Sequence, residues 1–219
     1  MTSVSCSSRN VPSRSTRRTS RLLCAVAALV VLGSGCRSLP VTHYYGLDVA
    51  PPAEAVNATS SAPGELRIGV ALPRVEPPYD QERIAYRPPD SVQEIAFYHY
   101  HRWSAAPARL VQNALALALD RQPGVAAEAE RGGLSYDVVL RPQVLRLEEV
   151  DAPSGIVASL ELRWSAAGPD DRARSGEQRI VEAVASPDVE AVVAAIANGV
   201  ERAAAEIARE LVGADDRSP

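Results

Sequence analysis

Three histidines and three cysteines are all the chain has for metal or thiol chemistry. His99 and His101 stand one residue apart in Phe97-Tyr98-His99-Tyr100-His101-Arg102-Trp103. Alternate residues of a strand share a face, so this spacing would present two imidazoles together as metal ligands. The nearby acid, Glu94, falls on the opposite face of such a strand, and His43 is remote in sequence. The plainer reading is a solvated strand face, and no metal or other cofactor is expected. Glu148-Glu149 and Asp170-Asp171 are paired carboxylates, the residue type of general acid–base chemistry. Both read as turn residues whose charge is solvated. There is no glycine-rich phosphate loop, since Gly132-Gly133 is a lone turn. Ser34 lies between glycines, but in a segment that reads as an export signal rather than a nucleophile elbow. The expectation is a protein that is not an enzyme.

The unusual stretch is the aromatic one. Aromatics are 5% of the chain, yet Phe97, Tyr98, Tyr100 and Trp103 gather within seven residues. Alternation sends Phe97, His99 and His101 to one face and Tyr98 and Tyr100 to the other, with Trp103 packing where a helix begins. Two readings stand side by side. One is a strand covered on both faces. The other is a contact surface, because Tyr, Trp and Arg are the favoured anchors of protein interfaces. On the second reading Tyr98, Tyr100, Arg102 and Trp103 are the candidate partner-binding residues.

The elements that must carry these residues begin with an address. Arg9, Arg14, Arg17, Arg18 and Arg21 precede the first acid, Asp48. An apolar run from Leu22 to Leu32 follows. As a helix it would rise about 16 Å, roughly half a bilayer core, too short to span. Gly33-Ser34-Gly35 then leads to Cys36. This is the n-region, h-region and small-residue pattern of a secretory signal. A Cys directly after the small residues makes it a lipobox, although Gly33 stands where Leu is usual. Arg17-Arg18 suggests twin-arginine export, but Ser20 occupies a place that should be bulky and apolar. Cys36 is therefore the expected lipidation site, carrying palmitate-type acyl chains. Arg37, rather than Asp, follows it, which points to sorting to the inner leaflet of the outer membrane. Cleavage before Cys36 removes Cys6 and Cys24 and consumes the remaining thiol, so no disulfide can form.

Charge excludes some partners. All 23 basic residues are Arg, against 27 acids. Removing the five N-terminal Arg leaves 23 − 5 = 18, and 18 − 27 = −9 for the mature chain. An acidic domain is unsuited to nucleic acid and to electrostatic attachment to anionic headgroups.

The chain divides into a signal peptide (1–35), a lipid-anchored segment and tether (36–64), a folded domain (65–212) and a disordered tail (213–219). Within the second part, Tyr44-Tyr45-Gly46-Leu47-Asp48 has the look of an edge strand, and 50–64 is a Pro/Ala/Ser stretch without periodicity. Strands are predicted at 66–72, 83–87, 93–100, 125–129, 136–147, 159–164 and 178–185. Pro142 inside the long strand suggests an edge or a bulge. Leu160, Leu162 and Trp164 should face inward, Glu161 and Arg163 outward. One helix is predicted over 104–120, with Leu110, Val111, Ala114, Leu115, Ala118 and Leu119 as its stripe. A second starts after the cap Ser186-Pro187-Asp188, with Val189, Val193, Ile196, Val200, Ile207 and Leu211 inward. The order makes an α+β domain: a mostly antiparallel sheet with two helices on one face.

Several segments in this order resemble one family. They are Tyr44-Tyr45-Gly46-Leu47 after the lipobox, then Ile68-Gly69-Val70-Ala71-Leu72-Pro73, then Asp80-Gln81-Glu82-Arg83-Ile84-Ala85-Tyr86-Arg87. Tyr100-His101-Arg102-Trp103-Ser104-Ala105-Ala106-Pro107 and the Leu/Ala-rich helix 110–119 follow. The chain from 36 to 212 is similar to the ABC-type transport auxiliary lipoproteins, the PqiC/YmbA-like group. The resemblance implies a periplasmic, non-catalytic component of an MCE-type lipid transport system that supports envelope integrity. Its partners would be an MCE-family protein and the inner-membrane ABC transporter, with a homo-oligomer left open. A different reading is a carrier whose own domain encloses acyl chains, which would need an apolar cavity beyond ordinary core packing. An envelope enzyme is the third.

Overall fold

The longest strand organises the sheet. In the computed structural model, which describes residues 40–49, 65–91, 93–153, 155–168 and 173–215, the strands are β1 (His43–Tyr45), β2 (Leu66–Val70), β3 (Arg74–Val75), β4 (Arg83–Arg87), β5 (Ala96–Trp103), β6 (Val125–Ala129), β7 (Val138–Ala152), β8 (Gly155–Ala167) and β9 (Arg174–Ala183). The helices are α1 (Pro107–Asp120), between β5 and β6, and α2 (Val189–Asp215) after β9. Cys36, the export segment, the stretch 50–64, Asp170-Asp171 and the last four residues lie outside the described residues.

One edge of β7 pairs antiparallel with β8 from Val139–Ala167 to Ala152–Gly155. The other edge is shared in turn by β2, β3 and β4, all parallel to it. β2 continues to β6, β4 to β5, and β5 to β1, while β9 extends the sheet beyond β8. The two longest pairings, β7–β8 and β8–β9, are antiparallel. β4–β5 is antiparallel but short, and the parallel pairings are short as well, so the sheet is mixed. Pro142 sits inside the sheet, opposite Trp164 of β8. It falls between the part of β7 paired with β2 and the part paired with β3. There the strand's second edge has no register partner, so a residue without an N–H fits.

Periodicity places the core. β8 alternates as expected: Leu160, Leu162 and Trp164 are buried, and Arg163 is exposed. Val111, Ala114, Leu115, Ala118 and Leu119 of α1 are buried, as are Val189, Val193, Ile196, Val200, Ile207 and Leu211 of α2. The helices pack on each other, α1 also on β2 and β6, α2 on β8 and β9. Both therefore cover the same face. Asp188 caps α2, its Oδ1 accepting the Ala191 N–H at 2.9 Å, with the Ser186 hydroxyl donating to its other oxygen. α1 starts at Pro107, which suits the first helical position because its missing N–H has no helical partner there. Gln112 of α1 is buried and donates to the Val70 carbonyl at 2.9 Å, tying the helix to the end of β2.

A register shift between Val144 and Arg146 changes which side chains face the helices. Beyond it Leu147 lies opposite Leu160, and Glu149 opposite Ala158, both on the helix face. Glu148, opposite Ser159, points to the other face. The paired acids are thus consecutive strand residues on opposite faces. The turn expected there is absent, because β7 runs on through Glu148-Glu149 to Ala152.

Candidate functional site

β5 carries the candidate residues, and its neighbours decide what each can do. β1 pairs with it in parallel, setting His43 beside His101, Tyr44 beside Arg102 and Tyr45 beside Trp103. β4 pairs with its other side, with a shift between Arg83 and Ala85 that leaves extra residues on β5. That irregularity breaks strict alternation. Tyr98 and His101, expected on opposite faces, meet ring to edge with centroids 5.4 Å apart.

Trp103 is 2% exposed and belongs to the core. Its backbone N–H donates to the Glu82 carbonyl at 2.6 Å, and the backbone N–H of Ser104 to the Tyr45 carbonyl at 2.8 Å. Trp103 thus holds β5 in place and offers little surface of its own. Tyr98 is half-buried. Its hydroxyl donates to the Glu149 carboxylate, 2.9 and 3.0 Å from the two oxygens. Its ring lies 4.7 Å from that of Tyr86.

Tyr100 is 45% exposed and Tyr44 is 64% exposed. Arg102 stands beside Tyr44, its side chain 39% exposed and its NH1 3.6 Å from Glu82. Its Nε is buried without a hydrogen-bond partner. The four sequence candidates therefore divide. Tyr100 and Arg102 reach the surface, Arg102 beside Tyr44, while Tyr98 and Trp103 are packed inward.

The histidines gather differently from their spacing. His101 stacks on His43 across strands, with centroids 5.4 Å apart and planes 14° apart. Its Nδ1 lies 2.8 Å from the Tyr45 hydroxyl. His99 is exposed and nearer to Tyr100. Among the described residues, no three His, Cys, Asp or Glu side chains come together as a metal site. Burial, and then the neighbouring His43, lower the His101 pKa.

Two buried carboxylates were missed by sequence reading. Glu149 is 3% exposed, and burial pushes its carboxyl up to about 7 against the help of the Tyr98 hydroxyl. Glu148 is fully buried on the other face. It accepts from Arg87 Nε at 2.7 Å and from the Tyr79 hydroxyl at 2.7 Å, with Arg146 at 3.4 Å. Burial, then the hydrogen bond to Glu148, raises the Tyr79 hydroxyl to about 12. A carboxyl near 7 has the acidity of a general acid–base group. The Tyr98 hydroxyl lies over that carboxyl, however, and the arrangement holds β4, β5 and β7 together. No sequence signal marked these acids as buried, since their partners Tyr79, Arg87 and Tyr98 lie about 50 to 70 positions earlier.

Solved structures share this architecture. The DUF330 protein XCC0632 of Xanthomonas campestris superposes with a TM-score of 0.63 at 24% identity, over 80% of this chain and 98% of that one. An uncharacterised protein of known crystal structure superposes with a TM-score of 0.64 at 16% identity, over 78% and 99% of the two chains. Among curated proteins, none matches in sequence. A family model runs from the last residue of β1 to the later turns of α2. The chain belongs to the family of ABC-type transport auxiliary lipoprotein components, whose model matches residues 45–208.

Proposed function

We propose that this domain is a lipid-anchored docking subunit of an ABC/MCE-type lipid transport system, working by contact rather than by catalysis. The observation that carries this reading is the composition of the β1–β5 edge. Tyr44, Tyr100 and Arg102 each reach solvent on these two strands, which are held by buried Trp103 and by the Tyr98–Glu149 hydrogen bond. Aromatic and Arg side chains on a stiff element are what a protein interface needs. The anchor supports the same placement. Six residues lie between Cys36 and His43, a reach of at most about 25 Å when extended. Acylation at Cys36 would therefore hold this edge close to the membrane surface.

The partner is an MCE-family periplasmic protein, with the inner-membrane transporter beyond it. The membrane is the inner leaflet of the outer membrane, as Arg37 after Cys36 suggests, and the cellular role is envelope integrity. Co-purification tests this. Arg102→Ala and Tyr100→Ala should each weaken recovery of the MCE component without lowering the melting temperature. Unchanged recovery in both, with the fold intact, would move docking to another surface, starting with the acidic side of α2 around Glu190 and Glu201.

A further inference from the structure

β9 is the last strand beyond β8, and among the described residues its outer edge meets no other strand. At 10 residues it is long for an open edge, since such edges are usually kept short. Its backbone groups can be assigned to one side or the other. The Val184 N–H donates to the Ile156 carbonyl at 3.1 Å, just past the Ala183–Val157 pair. Antiparallel pairs alternate between those that exchange hydrogen bonds and those that do not. Arg174, Gly176, Gln178, Ile180 and Glu182 therefore turn their N–H and C=O groups to β8. Ser175, Glu177, Arg179, Val181 and Ala183 turn theirs outward. The side chains of this outward set are exposed, on the face away from the helices, while Gln178 between them bonds to Glu210 of α2.

The charges along this edge are arranged antisymmetrically. Arg174, Glu177, Arg179 and Glu182 are spaced evenly about Gln178, so reversing the strand about that residue lays each Arg on a Glu. We propose that β9 pairs antiparallel with β9 of a second copy of this chain, on a twofold axis through Gln178. Ser175, Glu177, Arg179 and Val181 of one copy then stand opposite Val181, Arg179, Glu177 and Ser175 of the other. Each of these pairs joins two outward residues, so each exchanges both backbone hydrogen bonds. Arg174 stands opposite Glu182 of the second copy. Other registers fail. An axis at Glu177 or Arg179 sets a like charge against itself, which is destabilising. An axis at Gly176 or Ile180 gives none of these charges an opposite. An axis between two residues sets outward groups against groups already bonded to β8.

The outward charges continue a ladder that already crosses the sheet. On the face away from the helices Arg146 meets Glu161 at 3.6 Å, Glu161 meets Arg179 at 3.1 Å, and Arg163 meets Glu177 at 3.1 Å. Pairing sets Glu177 of the second copy beyond Arg179 and Arg179 of the second copy beyond Glu177. The signs then keep alternating from one copy into the next. Val181, 52% exposed on the free strand, gains a neighbour in Ser175 of the second copy. Charge on an edge strand commonly guards against self-pairing. Here its order does the reverse, because a copy presents the opposite sign at every charged position. Any extended peptide has backbone groups to offer this edge, but the charge order of β9 is complementary to β9 itself. β9 and β5 lie on opposite sides of β7, so this pairing and the docking reading stand or fall separately.

Sedimentation equilibrium of the full mature chain carrying Cys36→Ser, which has no acyl chain to aggregate it, reads the pairing directly. The parent should be a dimer that dissociates on dilution from about 100 to about 1 μM. Glu177→Arg makes the central row basic throughout, and Arg179→Glu makes it acidic throughout. Each variant alone should self-associate at least about tenfold more weakly than the parent. An equimolar mixture of the two should regain the dimer as a heterodimer, because every like pair becomes an opposite one. Val181→Pro tests the backbone instead. It deletes an outward N–H and none that bonds to β8, so the dimer should be lost at a melting temperature near that of the parent. A parent that is monomeric throughout overturns the proposal, and the charges then only keep the edge in water. So does a Val181→Pro variant that dimerises like the parent, or a mixture of the two folded charge variants that associates no better than either alone.

Discussion

Tyr98 closes over Glu149, its hydroxyl reaching both oxygens of a carboxylate held on the next strand but one. The pair joins the strand that carries the candidate contact residues to the central strand of the sheet. Glu149 also makes that junction sensitive to pH. Burial raises its carboxyl from 4.5 to about 7, so between these values the folded chain holds a proton that the unfolded chain has lost. The folded state then binds more protons, and stability falls as pH rises through this window. The contribution of this one group is at most roughly 3 kcal/mol. Melting temperatures at pH 5.5 and 7.5 should be higher at the lower pH by more in the parent than in Glu149→Gln. Equal slopes for the two proteins would show that Glu149 does not titrate there.

Tyr98→Phe removes the hydroxyl bonded to that carboxylate. The loss should be about 1–3 kcal/mol at pH 8, where Glu149 is charged, and smaller at pH 5.5, where it is protonated. Chemical denaturation at the two pH values measures this. A loss that is the same at both would show that the ring rather than the hydroxyl matters.

On the other face, Arg87 and Tyr79 neutralise and solvate a fully buried Glu148. Arg87→Ala removes the nearer of two cations, leaving Arg146 at 3.4 Å, and should cost up to about 3–5 kcal/mol. Adding Glu148→Leu to Arg87→Ala should recover part of the loss, because the uncompensated charge is then gone. Urea denaturation of the single and double variants decides it. A double variant less stable than Arg87→Ala would place the importance of Glu148 with Tyr79 and Arg146 instead.

Trp103→Ala should cost about 3–5 kcal/mol, as truncation of a buried aromatic does. Arg102→Ala should cost little, because that side chain is 39% exposed and meets Glu82 only at 3.6 Å. Thermal melts of the two variants separate base from surface. If Arg102→Ala unfolds the domain, its buried Nε has a structural role and the edge is not a free contact surface.

Cys36→Ser should release the protein from membranes and abolish incorporation of a palmitate analogue, since stable anchoring takes more than one acyl chain. Equal labelling of parent and variant would remove Cys36 as the anchor. Fractionation of the labelled parent should place it with outer-membrane markers.

The sequence by itself determined both helices and most of the strands, the two apolar helix stripes, the inward residues of β8 and the family. Those follow from local periodicity and the order of short segments, because a side chain's face is set by its own backbone repeat. Only the tertiary structure decided what the chemistry-bearing residues do. A register shift of β7 after Val144 carried Glu148 and Glu149 into the interior on opposite faces, although two acids in a row read as solvated. The parallel seating of β1 put His43 on His101, and Tyr44 beside Arg102. The bare backbone of Gly176 on β9 let the Trp164 indole of β8 pack against it, where a Cβ would collide with the ring. Each depends on which strands become neighbours across tens of residues, and pairing partners are chosen by the packing of the whole sheet rather than by any local pattern.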